Sequence, residues 1–429
     1  MSDAPLYSQL PHQRAIRLLR IKSGTGKEGI QITLETFDLD SNTQFKGLSY
    51  VWGDDTSPCE IICNGHRTPI RRNLWGVLLQ LQKQKFDCRL WVDAICINQK
   101  DEEEKSFQVA MMRDIYKRAA KVIFWLGEQE RYDEDAVNLM RSFSRRYPHE
   151  SDLERNRVKI LEEMSLSSFD CGWAGWASLF SRPWFGRVWI VQEFSNAKNS
   201  VFMSGALEIP TQLLVHCGFA TGVCVAIRKL VCRDRDVRDT GKAILRLLAL
   251  GIDQFGREKR VEDGPRISDL WSRSQQLEAT DSRDRVFALL STQTAVGMEM
   301  INYRKSEATV YTEIAAAALN ILVPRITWEG SIFQPSQLKV EWNNLHRVSR
   351  FLACKFRSSG SSDLSSWVPD WKPIGFNFIP LTRYYTGTAG FTYPYHHAIA
   401  KDKVSQLIGF FFYNRSNSLG VVHIRDSSG

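Results

Sequence analysis

The chain is poor in the signatures that announce a familiar chemistry. Gly24, Gly26 and Gly29 match G-x-G-x-x-G by letter, but they lead into a strand, where a dinucleotide fingerprint must open a helix, so a hairpin turn is the better reading. No Ser-His or Cys-His arrangement has motif support. The nine cysteines are odd in number and scattered, which argues against a disulfide framework and for reduced thiols. Cys59, Cys63 and His66 lack a second ligand pair at zinc spacing, so no metal is expected. The net charge is +8, yet no polybasic block stands out. Bases alternate with acids, as in Arg233-Asp234-Arg235-Asp236, and nucleic acid is not an expected partner. The longest weakly polar stretch, Leu213 to Ile227, is shorter than the roughly 18 to 20 residues that cross a bilayer, and reads as a buried helix. The opening MSDAPLYSQLPHQ lacks the charged and apolar regions of a signal peptide. The expectation is an intracellular, cytoplasmic protein without a membrane span.

What is present is an ordinary globular composition, 43% hydrophobic and 24% charged, in a chain of 429 residues, long enough for two or three domains. Its densest stretch is Arg89 to Gly127, RLWVDAICINQKDEEEKSFQVAMMRDIYKRAAKVIFWLG. Leu90 to Ile97 is a nearly unbroken apolar run, as in a parallel strand buried on both faces, interrupted by Asp93. Asp101 followed by Glu104 gives an N-cap with a carboxylate at the third helical position, predicting a helix from about Glu102 to about Ala120. Its apolar stripe holds Val109, Met111, Met112, Ile115, Tyr116 and Ala119, with Glu104 and Gln108 on the same side. Val122 to Leu126 supplies the next strand, and the whole reads as a right-handed βαβ unit. Ligands in such sheets bind beyond the carboxyl ends of the strands, where Asn98, Gln99 and Glu104 fall. Two readings stand for these acids. Glu104 caps the helix and Asp93 pairs with an arginine, or an inward carboxylate here has a raised pKa and does acid–base work.

Around this unit, Ala15 to Ile21 and Ile30 to Leu39 read as two strands, and Phe45 to Trp52 as a third, ending in Gly53-Asp54-Asp55. Cys59 to Ile70 is a hairpin turning at Asn64-Gly65. Asn73 is expected to cap a helix carrying Leu74, Val77, Leu78 and Leu81. Further helices are expected at about Asp133 to Arg146 and Leu153 to Met164. In SRPWFGRVWIVQEF, Ser181 with Pro183 reads as a helix start, with Trp184, Phe185, Val188, Trp189 and Gln192 on one face and Glu193 at its margin. Either Gln192 and Arg187 tie down a loop, or Glu193 lines a pocket. Ser200 to Met203 is a short strand, with Gly205 closing the first domain. Thr211 to Val323 is mostly helical, including a charged start at Asp281 to an apolar helix. Ser358 to Ser366 is a loop, and beyond it lies β-rich material, including Leu407 to Tyr413 and Leu419 to Ile424.

Four blocks in order, Leu48 to Asp54 (LSYVWGD), Leu90 to Gln99 (LWVDAICINQ), Gln108 to Gly127 and Arg182 to Glu193 (RPWFGRVWIVQE), closely resemble the fungal heterokaryon incompatibility (HET) domain. Thr280 to Val286, Tyr303 with Val310-Tyr311, and Ser366 to Trp371 resemble segments found downstream in long proteins of that family. Lys105 and Ser282 depart from its common Arg and Pro. The resemblance implies an α/β, TIR- or flavodoxin-like sheet with a parallel core, flanking helices and an N-terminal β-hairpin over residues 1 to 205. After it are expected a mainly helical region, 206 to 355, and a small β-rich segment, 356 to 429.

In function, the resemblance implies nonself recognition, with a cell-death reaction triggered when unlike cells fuse, through protein partners or self-association. Kinship to TIR domains adds an alternative in which NAD is a substrate cleaved with the help of a glutamate. Glu193 and Glu104 are then the catalytic candidates, Trp52 and Trp189 the walls, and Asp93 and Asn98 the hydroxyl contacts. Gly53, Asp54, Gln99, Arg187 and Gln192 complete the candidate ligand site. Asp93 is expected to be buried against a basic or amide side chain, and Asp54, Asn98 and Glu128 to share one sheet edge.

Overall fold

The computed structural model describes residues 6–22, 29–53, 58–156, 158–160, 171–223, 277–290, 298–322, 326–328 and 338–340. Asp54, residues 23–28, residues 224–276 and the whole of the expected β-rich segment 356–429 lie outside them. The described residues up to Val310 belong to one compact unit and those from Tyr311 onward to a second. The second contains most of a helix at Glu307–Leu322 and an antiparallel pair, Ile326–Trp328 with Leu338–Val340.

The first unit is built on one mixed sheet of nine strands. These are β1 (Ala15–Ile21), β2 (Gln31–Asp38), β3 (Phe45–Ser49), β4 (Cys59–Cys63), β5 (His66–Ile70), β6 (Arg89–Trp91), β7 (Lys121–Gly127), β8 (Ser200–Ser204) and β9 (Leu207–Pro210). Their spatial order is β5-β4-β2-β1-β6-β3-β7-β8-β9. The expected α/β class with a parallel core stands: β6, β3, β7 and β8 run parallel, so that the second, first, third and fourth parallel strands in chain order lie side by side. The N-terminal hairpin is present, with Ala15 opposite Asp38 and Ile21 opposite Ile32. So is the second hairpin, whose Asn64 and Gly65 both take positive φ, 50° and 88°, as a type I′ turn demands.

Three helices border the carboxyl ends of the parallel strands or connect them: α1 (Arg72–Lys83), the one-turn α2 (Asp93–Cys96) and α3 (Glu102–Arg118). The run from Leu90 to Ile97 is therefore not one strand. After Trp91 the chain turns, because Cys96 N–H reaches the Val92 carbonyl at 2.7 Å and the Asp93 carboxylate accepts from Ala94 N–H at 2.7 Å. An apolar run buried on every side does not distinguish a strand from a buried helical turn. The central helix α3 keeps its expected stripe, with Val109, Met111, Met112, Ile115 and Tyr116 buried. Tyr116 crosses β3 closely, its hydroxyl donating to the Leu48 carbonyl at 3.1 Å, and a Cβ on Gly47 would come within 3.3 Å of its ring.

Other boundaries also move. Strand β3 stops at Ser49 rather than Trp52. Asn73 does not cap α1: its amide donates to the Val51 carbonyl at 2.6 Å and accepts from the Trp125 indole at 2.9 Å, tying the exit of β3 to β7. Helix α4 (Asp133–Arg146) forms as expected, with a short α5 (Glu150–Arg155) after it.

Ser181 ends a helix, α6 (Cys171–Ser181), instead of starting one. Pro183–Gly186 is a single 3-10 turn, Arg187 is extended, and helix resumes only as α7 (Ile190–Asn196). The interruption has a cause, since Glu278 bridges the backbone there, accepting from Val188 N–H at 2.9 Å and donating to the Gly186 carbonyl at 2.6 Å. Trp184 and Phe185 thus do not share a helix face with Gln192. They join Phe124, Phe194 and Phe202 in an aromatic cluster, with ring centroids 4.9 to 5.5 Å apart between Phe124 and Trp184, Phe194 and Phe202.

Helix α6 packs closely on α4 at Gly175. A Cβ there would lie 2.1 Å from the Tyr132 carbonyl oxygen and 3.0 Å from Ala136 Cβ. Gly175→Ala is expected to cost about 1 to 3 kcal/mol through overpacking, read as a lowered urea midpoint at unchanged slope. An unchanged midpoint would contradict this packing.

Candidate functional site

Burying an arginine or a carboxylate is tolerable only when the charge is paired and its remaining hydrogen-bonding positions are filled. The described residues of the first unit pair an arginine with a buried carboxylate three times, although Arg17 Nε, Arg182 Nε and one Asp133 oxygen find no hydrogen-bond partner among the described residues. Arg17, in the middle of β1 and 2% exposed, closes a two-bond pair with Glu104, 5% exposed, at 2.6 and 2.9 Å. Glu104 also accepts from Asn98 N–H at 2.7 Å, while Arg17 donates to the carbonyls of Cys96 and Ser8. Asp101 alone caps α3, accepting from the N–H groups of Glu103 and Glu104. Arg182 pairs with Asp133 at 2.8 Å and with the Glu128 carbonyl at 3.1 Å. Arg187 holds Glu193, 1% exposed, at 3.0 and 3.2 Å, and Glu193 also receives the Ser49 hydroxyl, which in turn accepts from the Trp184 indole at 2.7 Å.

The two glutamates suggested by sequence are thus each closed on an arginine and bordered by structural donors. Neither is among the residues that line the neighbouring cleft. Gln192 is also fully buried, its amide without a hydrogen-bond partner among the described residues. Asn98 comes after α2 and acts through its backbone on Glu104. Of the shared edge expected for Asp54, Asn98 and Glu128, the Asp54 corner lies outside the described residues.

The cavity lies next to this frame. A cleft of about 670 Å³ opens where the chain leaves β3 and β6, and Trp52, Gly53, Asp93, Gln99, Arg187 and Trp189 line it. Six of the eleven sequence candidates therefore converge, at the carboxyl ends of parallel strands as the βαβ reading expects. Asp93 is buried as expected, but its partner is neither basic nor an amide. Its carboxylate takes the Trp52 indole N–H at 2.9 Å, while the Gln99 amide donates to the Asp93 main-chain carbonyl at 2.9 Å. Burial pushes Asp93 up to about 6, against the pull of the nearby Arg187 guanidinium.

The far wall comes from residues that the sequence did not tie to the site. Asp284, at the start of helix α8 (Asp284–Leu290), accepts from the Tyr303 hydroxyl at 2.6 Å and from the Trp189 indole at 3.1 Å. Burial pushes this carboxyl, too, up to about 6. Lys105 places its ammonium 4.1 Å from the centre of the Tyr303 ring, and Arg71 sits 5.4 Å over Trp52. A signal for this wall existed in the charged helix start at Asp281 to Asp284 and in Tyr303. For Arg17 the signal was a charge set between apolar residues in the strand AIRLLRI, whose other arginine, Arg20, is exposed. Among the described residues no group of three or more His, Cys, Asp or Glu is placed to hold a metal ion, and no helix is long and apolar enough to cross a membrane.

The cleft carboxylates predict a pH dependence with a definite sign. Both fold with a pKa of about 6 against an ordinary 3.8, so between these values the folded state binds more protons than the unfolded one. Stability should therefore rise as pH falls from about 7 to about 5, by on the order of 1 kcal/mol per carboxyl once exposure to the cleft is allowed for. Urea denaturation of the parent and of the Asp93→Asn/Asp284→Asn double variant isolates the effect. The parent should gain relative to the variant on acidification, and a relative loss would contradict the burial of these groups.

Residues 45–193 match the family described as heterokaryon incompatibility protein (HET). Over 373 residues the chain is 24% identical to heterokaryon incompatibility protein 6, OR allele, of Neurospora crassa, covering 76% of this chain and 52% of that protein. The chain thus spans about half the length of the curated relative it matches. No solved structure matches the chain.

Proposed function

Residues 45–193 are a HET domain, and from that premise we propose that the chain is a heterokaryon incompatibility-type protein, a fungal nonself-recognition module that signals cell death when unlike cells fuse. The observation that carries the reading is the reach of the similarity. It extends over 373 residues to a protein named for incompatibility, well past the 45–193 domain. The order of the parallel strands supports a flavodoxin-like core of the kind TIR domains have, since a central first strand flanked by the second and third is the doubly wound arrangement with its ligand edge at the switch point. In this reading Glu104, Glu193, Asn98 and Gln192 belong to the frame, and Trp52, Gly53, Asp93, Gln99, Arg187 and Trp189 to the functional cleft. The signal passes through protein partners or self-association in the cytoplasm. Glu104 and Glu193 are each closed on an arginine, which disfavours cleavage of NAD by either carboxylate.

The test is inducible expression of the full chain in a filamentous fungus, scoring growth and the viability of fusion cells. Growth arrest or death of fusion cells is expected with the parent, and its loss with Arg187→Ala at equal protein level. Full viability with abundant parent protein, both alone and in fusions with strains of unlike type, would overturn the reading.

A further inference from the structure

We propose that the cleft is a binding site for a phosphorylated, hydroxyl-bearing small molecule, with Lys105 receiving the phosphate and Asp93 and Asp284 receiving the hydroxyls. The inference stands on the cleft alone and does not depend on the incompatibility reading. At about 670 Å³ the cleft is in the range of small-molecule sites and far larger than an inorganic ion needs. Its walls are fixed before any ligand arrives. The Trp52 and Trp189 indoles are each pinned through N–H to a carboxylate, and Tyr303 is pinned through its hydroxyl.

The composition of the walls selects the ligand. Arg71, Lys105, Arg187 and Arg285 line one cavity together with Asp93, Glu278, Asp281 and Asp284, and an apolar ligand would strip water from these polar walls without replacing its hydrogen bonds. An organic cation is disfavoured for a different reason. The aromatic faces that would receive it already carry the chain's own cations, Arg71 over Trp52, and Lys105 and Arg283 over Tyr303. Acceptor positions, by contrast, are available. A carboxylate offers about four lone-pair sites. Asp93 uses two, on Trp52 and Ala94, and Asp284 two, on Tyr303 and Trp189. Each can therefore accept from ligand hydroxyls. Lys105 makes no ion pair among the described residues, so its ammonium has donors to spare for an anion. A ligand that satisfies both sets carries an anionic group and several hydroxyls, which is the chemistry of a sugar phosphate, either free or as part of a nucleotide.

Calorimetry and thermal shift on the full chain, with inorganic phosphate, ribose, ribose 5-phosphate, adenosine and adenosine 5′-monophosphate, test this. At least one of the two phosphorylated sugars should bind about tenfold or more tighter than phosphate, ribose or adenosine and raise the melting temperature, and affinity should fall with salt. Ribose 5-phosphate and adenosine 5′-monophosphate binding alike would mark a free sugar phosphate as the ligand. Preference for the latter would mark a nucleotide. Lys105→Met, which alters a half-exposed side chain and leaves the fold's melting temperature in place, should weaken binding about tenfold. The proposal is overturned if neither phosphorylated sugar outbinds phosphate, ribose and adenosine, or if Lys105→Met binds as the parent does.

Discussion

Glu104→Ala is expected to lower the unfolding free energy by about 3 to 5 kcal/mol, the cost of leaving a buried charge without its partner. Arg17, buried on β1, would then keep the carbonyls of Cys96 and Ser8 and the Tyr7 ring as contacts for its guanidinium. Asn98 N–H would lose its acceptor as well, loosening the turn that delivers the chain from α2 to α3. Replacing both partners with apolar residues of similar volume, Arg17→Met with Glu104→Leu, should recover most of the loss, since the penalty arises from the orphaned charge more than from the missing attraction. Urea denaturation of the parent and of these single and double variants measures this directly. A loss below about 1 kcal/mol for Glu104→Ala would place the pair in water, where such pairs contribute little.

Glu193→Ala should cost a similar amount, about 3 to 5 kcal/mol, and should in addition change the cleft. The Ser49 hydroxyl, which accepts from the Trp184 indole at 2.7 Å, loses its own acceptor. Arg187, which lines the cleft, loses its carboxylate partner and is left with Asp93 as the nearby negative charge. Because the Glu193 charge raises Asp93 and the Arg187 charge lowers it, the Asp93 carboxyl should fall below its parent value of about 6. Denaturation reads the first effect and an NMR titration of the Asp93 carboxyl reads the second. Glu193→Gln keeps the shape and should lose less stability while moving Asp93 in the same direction. An Asp93 that titrates unchanged in both variants would show that Glu193 and Arg187 do not set the potential in the cleft.

The sheet was legible because strands and the long amphipathic helix carry their periodicity in local sequence, as in Ile32 and Leu34 of β2 or Met112, Ile115 and Tyr116 of α3. The break after Trp91 was not, since a run buried on all sides has no polar face to report its period. The chain around Pro183 misled for another reason: its course is set by a bridge to Glu278, far along the chain, which no local pattern contains. The same limit governs the site. Residues at strand ends were found because α/β sheets place ligands there, so Trp52, Gly53, Asp93 and Gln99 line the cleft. Glu104 and Glu193 were singled out as inward carboxylates, but the side chains that close on them, Arg17 and Arg187, lie 87 and 6 residues away along the chain. Spacing alone could not tell a framed glutamate from a free one. Asp284, which mirrors Asp93 in having an indole partner, came from a region with no recognised link to the site.

The measurement closest to the central claim, that buried glutamates form the frame while two aspartates face the cleft, is a carboxyl-carbon NMR titration of the full chain labelled at aspartate. Two resonances should titrate near pH 6, one absent from Asp93→Asn and the other from Asp284→Asn, and both should move when ribose 5-phosphate or adenosine 5′-monophosphate is bound. Finding both aspartates titrating near 3.8, the ordinary value, would contradict a cleft walled by buried carboxyls.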